Sequence, residues 1–320
     1  MAMGFVFNED YFKDETREGF LVRSFMKRIW AASLHMVEVI DEICTRHHIN
    51  YFADSGTLLG AVREKGMIPW DDDVDLIMTR ADFKAFAAVA NKELPKGWRI
   101  AYKNDPLFPF QGYFRVVTSD KIILSEDYLK ENYLCPFPIW VDISILDFFP
   151  KDEELQQALF SMLATIYFTI SHITEDPSLI ESRNFPYLGM IEEMLNTKID
   201  RKGNVLLQLE DFFETLSTLP ERKDSVAYIL WNNCASHQAI DRVFSFDAFE
   251  PERVPFEVDG GSIVIPKGYD EVCRVYYGDT YMTPPETISS THSYLSKFIE
   301  QVKDYCKENN RPDILEMLGF

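Results

Sequence analysis

Four aspartates crowd into five positions at Asp71-Asp72-Asp73-Val74-Asp75. In an extended stretch side chains alternate between faces, so Asp71, Asp73 and Asp75 project from one side and Asp72 from the other. Three carboxylates on one edge repel one another, and a hard, oxygen-seeking cation such as Mg²⁺ or Mn²⁺ is the simplest thing that stabilises them. A solvated acidic loop is the plainer alternative. Against it, Ile68-Pro69-Trp70 before the run and Val74, Leu76, Ile77 and Met78 within and after it would bury its flanks. A calcium loop starting at Asp71 needs Gly at its sixth position and Glu at its twelfth, where this chain has Leu76 and Asp82.

A third carboxylate is needed to complete a metal site or to activate an acceptor hydroxyl, and Trp140-Val141-Asp142-Ile143 offers one on an otherwise apolar strand. An unpaired Asp facing a core is costly, so Asp142 is expected to have a cation or a donor beside it, the alternative being a strand-end Asp bonded to backbone amides. Asp147 is a weaker candidate five residues on. Upstream, Ser55-Gly56-Thr57 falls where a strand would turn into a helix. Such a turn presents N–H groups to a phosphate, and Gly56 would let it approach, although Ser-Gly-Thr also serves as an ordinary helix cap. Arg63 and Lys65 just beyond are candidates to neutralise a second phosphate, or simply exposed.

These residues must be positioned by an α/β core. Apolar residues at helical spacing from Phe25 to Cys44 (Phe25, Ile29, Leu34, Val37, Ile40, Cys44) predict a helix ending near His47-His48. Ile49–Ala53 reads as a strand, Leu58–Arg63 as a helix, Asp73–Met78 as a strand and Asp82–Glu93 as a helix. Further strands are expected at Trp98–Lys103, Tyr113–Thr118 and Ile139–Phe149. From about Asp152 to Ser236 the pattern is mostly helical, broken by Pro177, Pro186, Gly203 and Pro220. A strand at Ser262–Ile265 and a helix at Asp270–Tyr277 close the pattern. The expected division is an N-terminal helical segment packed on the core (1–48), a catalytic core (49–151), a helical region (152–245) and a C-terminal segment completing the core (246–320).

With 46% apolar residues in 320 the chain can bury a large core. Its 32 basic against 52 acidic residues, a net charge of −20, argue against a nucleic-acid partner. The same charge is compatible with phosphate chemistry if a divalent cation sets the local sign. Cys44, Cys135, Cys234, Cys273 and Cys306 are scattered and odd in number, which reads as reduced thiols in a cytoplasmic protein. Residues 1–15 carry four acids and no basic segment followed by an apolar core, unlike a secretory signal. The nearly apolar run Ala158–Ile173 is short of the roughly 20 residues of a membrane span, so no transmembrane segment is expected. At 14% aromatic content most aromatics are core, though Trp140, Tyr113 and Tyr133 are candidates to cage a quaternary ammonium.

Taken together, Tyr51-Phe52-Ala53-Asp54-Ser55-Gly56-Thr57-Leu58-Leu59-Gly60-Ala61-Val62-Arg63 and Ile68-Pro69-Trp70-Asp71-Asp72-Asp73-Val74-Asp75-Leu76 closely resemble the LicD family of bacterial phosphocholine transferases, related to the fukutin group. Ile265-Pro266-Lys267-Gly268-Tyr269-Asp270, Tyr276-Tyr277-Gly278-Asp279, Tyr281-Met282-Thr283-Pro284-Pro285 and His292 look similar too. The family turn often has Gly where this chain has Ser55, and His where it has Glu64.

The resemblance implies an α/β (α+β) fold, a nucleotidyltransferase core with a mixed sheet and a largely helical insert. It implies transfer of a phospho-alcohol from a CDP-activated donor to a hydroxyl of a cell-surface glycan or its lipid-linked precursor, with release of CMP. Asp71, Asp73, Asp75 and Asp142 would hold Mg²⁺ or Mn²⁺ on the donor pyrophosphate, with Asp73, Asp75 and Asp142 as the catalytic set. Ser55, Gly56, Thr57, Arg63 and Lys65 would bind phosphate. The implied place is the cytoplasm at the inner face of the cell membrane, with peripheral membrane contact. The alternatives are an NTP-using nucleotidyltransferase on the same fold and a haloacid-dehalogenase-type phosphatase with Asp73 as nucleophile and Asp75 as acid/base. That phosphatase expects an apolar strand where Pro69-Trp70-Asp71-Asp72 stand. A catalytically dead scaffold is a further alternative, although it has no reason to keep repelling acids together.

Overall fold

The helix expected around Phe25–Cys44 is α1 (Ser24–His47), in a computed structural model that describes residues 4–105, 107–233, 242–285 and 294–318. Cys234 and His292 lie outside the described residues. Ile29, Trp30, Leu34, Val37 and Ile40 recur every three or four positions, so one stripe of α1 is buried. It stops where His48 takes a left-handed conformation (φ 55°) after Arg46 and His47, two basic side chains suited to a helix C-terminus.

Seven strands form one mixed sheet: β1 (Phe52–Ala53), β2 (Asp75–Thr79), β3 (Arg99–Ala101), β4 (Phe114–Val117), β5 (Trp140–Pro150), β6 (Ser225–Leu230) and β7 (Val243–Phe244). The order is β1-β2-β5-β4-β3. Strand β5 has eleven residues and carries the sheet. Its first half pairs parallel with β2 and antiparallel with β4, and its second half pairs antiparallel with β6, which carries β7. The remaining pairs, β1 with β2 and β3 with β4, are antiparallel. The chain is thus an α+β protein built on a mixed sheet, as expected.

Around the sheet lie α2 (Ser55–Leu59), which runs into a π-helical turn at Gly60–Glu64, α3 (Arg80–Glu93) and α4 (Glu126–Glu131). Next come α5 (Glu153–Glu175), α6 (Tyr187–Met194), α7 (Val205–Ser217) and α8 (Tyr269–Tyr277). Then α9 (Tyr294–Glu308) and α10 (Pro312–Leu318) close the described chain. Caps set several starts: Thr79 accepts from the Asp82 amide, Asp152 from Leu155 and Asn204 from Leu207.

Two differences from the sequence reading matter for the site. The strand read as Asp73–Met78 begins only at Asp75, which leaves Asp71–Val74 as irregular chain leading into it. The span read as helical, 152–245, gives residues 225–230 and 243–244 back to the sheet. Ser225-Val-Ala-Tyr-Ile-Leu is short and rich in residues that suit a pleated surface, a signal hidden by the helices before it.

There are two apolar cores. The larger joins α1, the sheet and the C-terminal segment. The second lies among α5, α6 and α7 and reaches the sheet through Phe110, Ile229 and Trp231. A hairpin of Pro251–Phe256 with Gly261–Pro266 covers the β1 edge, where Phe249 packs on Phe52. Its turn residue Asp259, 1% exposed, accepts from the Tyr11 hydroxyl (2.9 Å) and the Met67 amide (2.6 Å), so one carboxylate joins the N-terminal segment, the chain before the acidic run and the hairpin. Likewise Asp41 on α1 accepts from Tyr51 and from Arg253, each at 2.7 Å.

Where the helical core meets the chain around Asn104, Glu210 on α7 is 3% exposed and accepts the Asn104 amide at 2.7 Å. Burial pushes its carboxyl up to about 7. A folded-state value above the 4.5 of an ordinary glutamate means the protonated form is the stabilising one. Its contribution is full below that ordinary value and is lost as pH rises through the folded one. Glu210→Gln, which keeps an acceptor for Asn104, is expected to melt above wild type at pH 8 and to converge with it towards pH 5, read as melting temperature against pH.

Candidate active site

The chemistry-bearing side chains meet on one rung of the sheet. Asp75 at the start of β2 is the register partner of Asp142 on β5, and Asp142 is the partner of Arg115 on β4. On the other side β1 pairs Ala53 with Leu76, and the next residue, Asp54, donates its amide to the Asp75 carbonyl at 3.0 Å. Across four strands the order is therefore Asp54, Asp75, Asp142, Arg115. Register partners project from the same face. Their neighbours along each strand, Ala53, Leu76, Val141, Ile143, Phe114 and Val116, are buried in the main core, so alternation turns the charged residues to the opposite face.

Charge is unevenly answered along this rung. Arg115 Nε stands 2.7 Å from Asp142 Oδ1 and its guanidinium also donates to the Tyr113 hydroxyl at 2.6 Å. The Nε–Oδ1 contact is a close ion pair rather than a well-formed hydrogen bond, since neither atom has a hydrogen-bond partner among the described residues. Burial pushes Asp142 up to about 6 against the pull of Arg115. Asp54, 1% exposed, is pushed by burial to about 6 while the Tyr276 hydroxyl, bonded to its Oδ1 at 2.8 Å, opposes the shift. Its Oδ2 is buried without a partner among the described residues. Asp75, in the middle, is raised well above the usual carboxylate range by burial and then by Asp73, Asp142, Asp54 and Asp71.

The acidic run approaches this rung from irregular chain. Burial alternates as expected, with Asp72 6% exposed and Asp71 and Asp73 more open. Asp72 does not simply turn away, however. One carboxylate oxygen from each of Asp71, Asp72 and Asp73 lies within 4.8 Å of the others. The run is held by its backbone: the Trp30 indole N–H on α1 donates to the Asp71 carbonyl at 2.7 Å, and the Asp71 amide donates to Ile68 at 3.0 Å.

The Ser-Gly-Thr turn is keyed to the acids. Thr57 Oγ1 accepts the Asp75 amide at 2.9 Å. A Cβ at Gly56 would sit 2.2 Å from Asp71 Oδ2, so only glycine leaves room for that carboxylate. Ser55 has φ +45°, the left-handed region where a side chain costs roughly 1 kcal/mol or more and glycine is at ease. The Arg63 side chain is largely buried, pairs with Glu64 and donates to the Tyr281 carbonyl at 3.1 Å. Lys65 is exposed and bonded to the Val62 carbonyl at 3.0 Å.

Other sequence candidates are placed elsewhere. Asp147 lies an odd number of residues from Asp142 along β5, hence on the opposite face, where Arg80 grips both its oxygens at 2.9 and 2.7 Å. Tyr133 packs on Phe7 and Phe12, while the Arg115 guanidinium lies over Tyr113 and Trp140 meets Phe108 edge-on, so the three aromatics form no single cage among the described residues. Sequence reading missed Asp54, Arg115 and Tyr276. The one available signal was the position of Asp54 directly before Ser-Gly-Thr.

A mixed sheet that presents paired carboxylates beside a short glycine turn is the arrangement of a nucleotidyltransferase domain, and residues 48–130 match the family described as LicD/FKTN/FKRP, nucleotidyltransferase domain. Over that stretch the chain is thus similar to the nucleotidyltransferase domain of the LicD family. It is 21% identical over 266 residues, 83% of this chain and 95% of the relative, to the lipopolysaccharide cholinephosphotransferase LicD of Haemophilus influenzae. Uncharacterised proteins of Rickettsia typhi (41% identical over 61 residues) and Rickettsia prowazekii (37% over 62) match 19% of this chain and 20% and 23% of their own lengths.

Two outcomes follow from this geometry. Gly56→Ala is expected to fold but to displace the Asp71 carboxylate and lose most activity, whereas Ser55→Gly keeps both stability and activity; melting temperature and turnover check the pair. Asp75→Asn relieves the repulsion on its rung without touching the backbone bonds of Asp75. Its metal-free melting temperature at pH 8 is expected to exceed that of wild type, by roughly 2–4 °C per kcal/mol relieved.

Proposed function

We propose that this protein is a metal-dependent phosphotransferase that moves a phospho-alcohol, with phosphocholine the leading candidate, from a CDP-activated donor to a hydroxyl of a cell-surface glycan or its lipid-linked precursor. The observation that carries this reading is the rung itself, with Asp75 directly beside Asp142 and Asp71–Asp73 converging next to it. Similarity to a lipopolysaccharide cholinephosphotransferase over nearly its whole length supports the choice of reaction.

The donor set suits Mg²⁺ or Mn²⁺, since it consists of carboxylate oxygens, which hard cations prefer. One buried oxygen, Asp54 Oδ2, receives no hydrogen bond among the described residues, which fits an atom left open beside a bound cation, while Asp142 Oδ1 is answered by the Arg115 guanidinium at 2.7 Å. Asp71, Asp73, Asp75 and Asp142 would hold the metal, which supplies charge neutralisation for the donor pyrophosphate and the departing CMP. Asp142 would orient the acceptor hydroxyl and take its proton, with Arg115 fixing the carboxylate. Gly56 keeps Asp71 close to the turn, and Trp30 fixes the backbone of Asp71 from the core side.

No helix among the described residues is long and apolar enough to cross a membrane. On the reading proposed, a lipid-linked acceptor would be met by peripheral contact at the inner face of the cell membrane.

The test is a melting-temperature shift with CDP-choline, CDP-ribitol and CDP-glycerol, each with and without Mg²⁺, on wild type and Asp73→Asn. Stabilisation that needs both metal and Asp73, largest for one donor, is expected, because a ligand of the native state raises its stability with affinity. CMP release with a glycan acceptor should follow the same order. Pyrophosphate release from an NTP, or phosphate release without acceptor, would replace this reading with one of its alternatives.

A further inference from the structure

The Tyr276-Tyr277-Gly278 sequence is used by nothing in the chemistry above. Both tyrosines end α8, and Gly278 at φ +77° turns the chain away directly after them. The Tyr276 hydroxyl donates to Asp54 Oδ1 at 2.8 Å across 222 residues of sequence. Asp54 neighbours Asp75 on the rung, so this bond ties the last turn of α8 to the row of acids. The Tyr276 ring is held as well, by the Arg242 guanidinium 5.0 Å from its centroid.

Consecutive helical residues are about 100° apart, so a tyrosine following one that points inward is swung to the rim. Tyr277 is 40% exposed, and its hydroxyl forms no hydrogen bond among the described residues. Its end of α8 nonetheless stands at the site, since α8 packs against α2 and Tyr276 beside it bonds Asp54. Burial first, and then the charges of Asp54, Asp75 and Asp71, hold the Tyr277 hydroxyl protonated far above its ordinary range. A neutral donor at the rim of a carboxylate cluster has a natural partner in phosphate oxygens drawn in by the cations.

Resting on the phosphotransferase reading, we propose that Tyr277 is a substrate-binding residue whose hydroxyl donates to a phosphate oxygen of the bound nucleoside diphosphate, and that Tyr276 with Asp54 is the positioning pair that holds it there. Tyr276 touches no substrate in this arrangement; it acts only through the residue that follows it.

The experiment is calorimetric titration of CDP in the presence of Mn²⁺ into full-length wild type, Tyr277→Phe, Tyr276→Phe and the double variant, with Mn²⁺ alone as a parallel titration. Each single change is expected to weaken CDP binding about tenfold, as loss of a hydrogen bond to a charged group does. Binding of Mn²⁺ alone should be unchanged in Tyr277→Phe. The double variant should be no weaker than Tyr277→Phe, because a positioning residue has nothing left to position. Tyr277 is exposed enough that Tyr277→Phe tests the contact whether or not Tyr276→Phe folds. Wild-type affinity in Tyr277→Phe overturns the proposal, and additive losses in the double variant overturn the positioning pair. Wild type that binds Mn²⁺ but not CDP overturns the donor reading and this inference with it.

Discussion

Like charges on adjacent strands are a cost that a sheet cannot relax, because register fixes the spacing of their Cα atoms. Asp54, Asp75 and Asp142 stand side by side, with Arg115 the one cation completing the row. Backbone hydrogen bonds on both sides of Asp75 hold it there: Asp54 donates to its carbonyl and Thr57 accepts from its amide. Moving one acid away would break the ladder that makes the strands. The surrounding structure can be understood as what keeps this repulsive row in place.

Several supports act from a distance. Trp30 on α1 bonds the backbone of Asp71, so a helix from the first fifty residues fixes the acidic run. The Asp259 carboxylate gathers the N-terminal segment, the Met67 amide and the C-terminal hairpin at a single buried point. Asp41 and Arg253 bridge α1 to that hairpin. These acids carry no chemistry, and they show that buried carboxylates in this chain fall into two kinds. Asp259, Asp41 and Asp147 are met by donors on elements far apart in sequence, whereas Asp75 is met mainly by other acids.

Much of the site was legible from residue types alone. Acids alternating before an aliphatic strand, and a lone Asp in an apolar one, singled out Asp71, Asp73, Asp75 and Asp142 as candidates, and the register puts Asp75 and Asp142 side by side. The start of the strand was misjudged by two residues because alternation of burial continues through Asp71–Val74 without a ladder partner. Asp54 was not singled out as a site residue, since its significance lies in pairing with Asp75, which a strand read at Ile49–Ala53 does not by itself reveal. Tyr276 could not be assigned a role, because nothing local marks an aromatic that bonds a residue 222 positions away. The strand at 225–230 was lost within a helical stretch for the same reason: its partners on β5, Leu146 to Pro150, lie 75 to 84 residues earlier.

The bond between Tyr276 and Asp54 also bears on how the site comes into being. The acids arise early in the chain, on elements that can pair soon after they emerge. The contact that fixes Asp54 comes from nearly the far end, and closing so long a loop is slow compared with forming local helices and turns. A growing chain stopped short of α8 would hold every carboxylate of the row and still lack its outer clasp. Assembly of the site is thus coupled to synthesis of the C-terminal segment, and activity would arrive late in folding rather than with the first sheet.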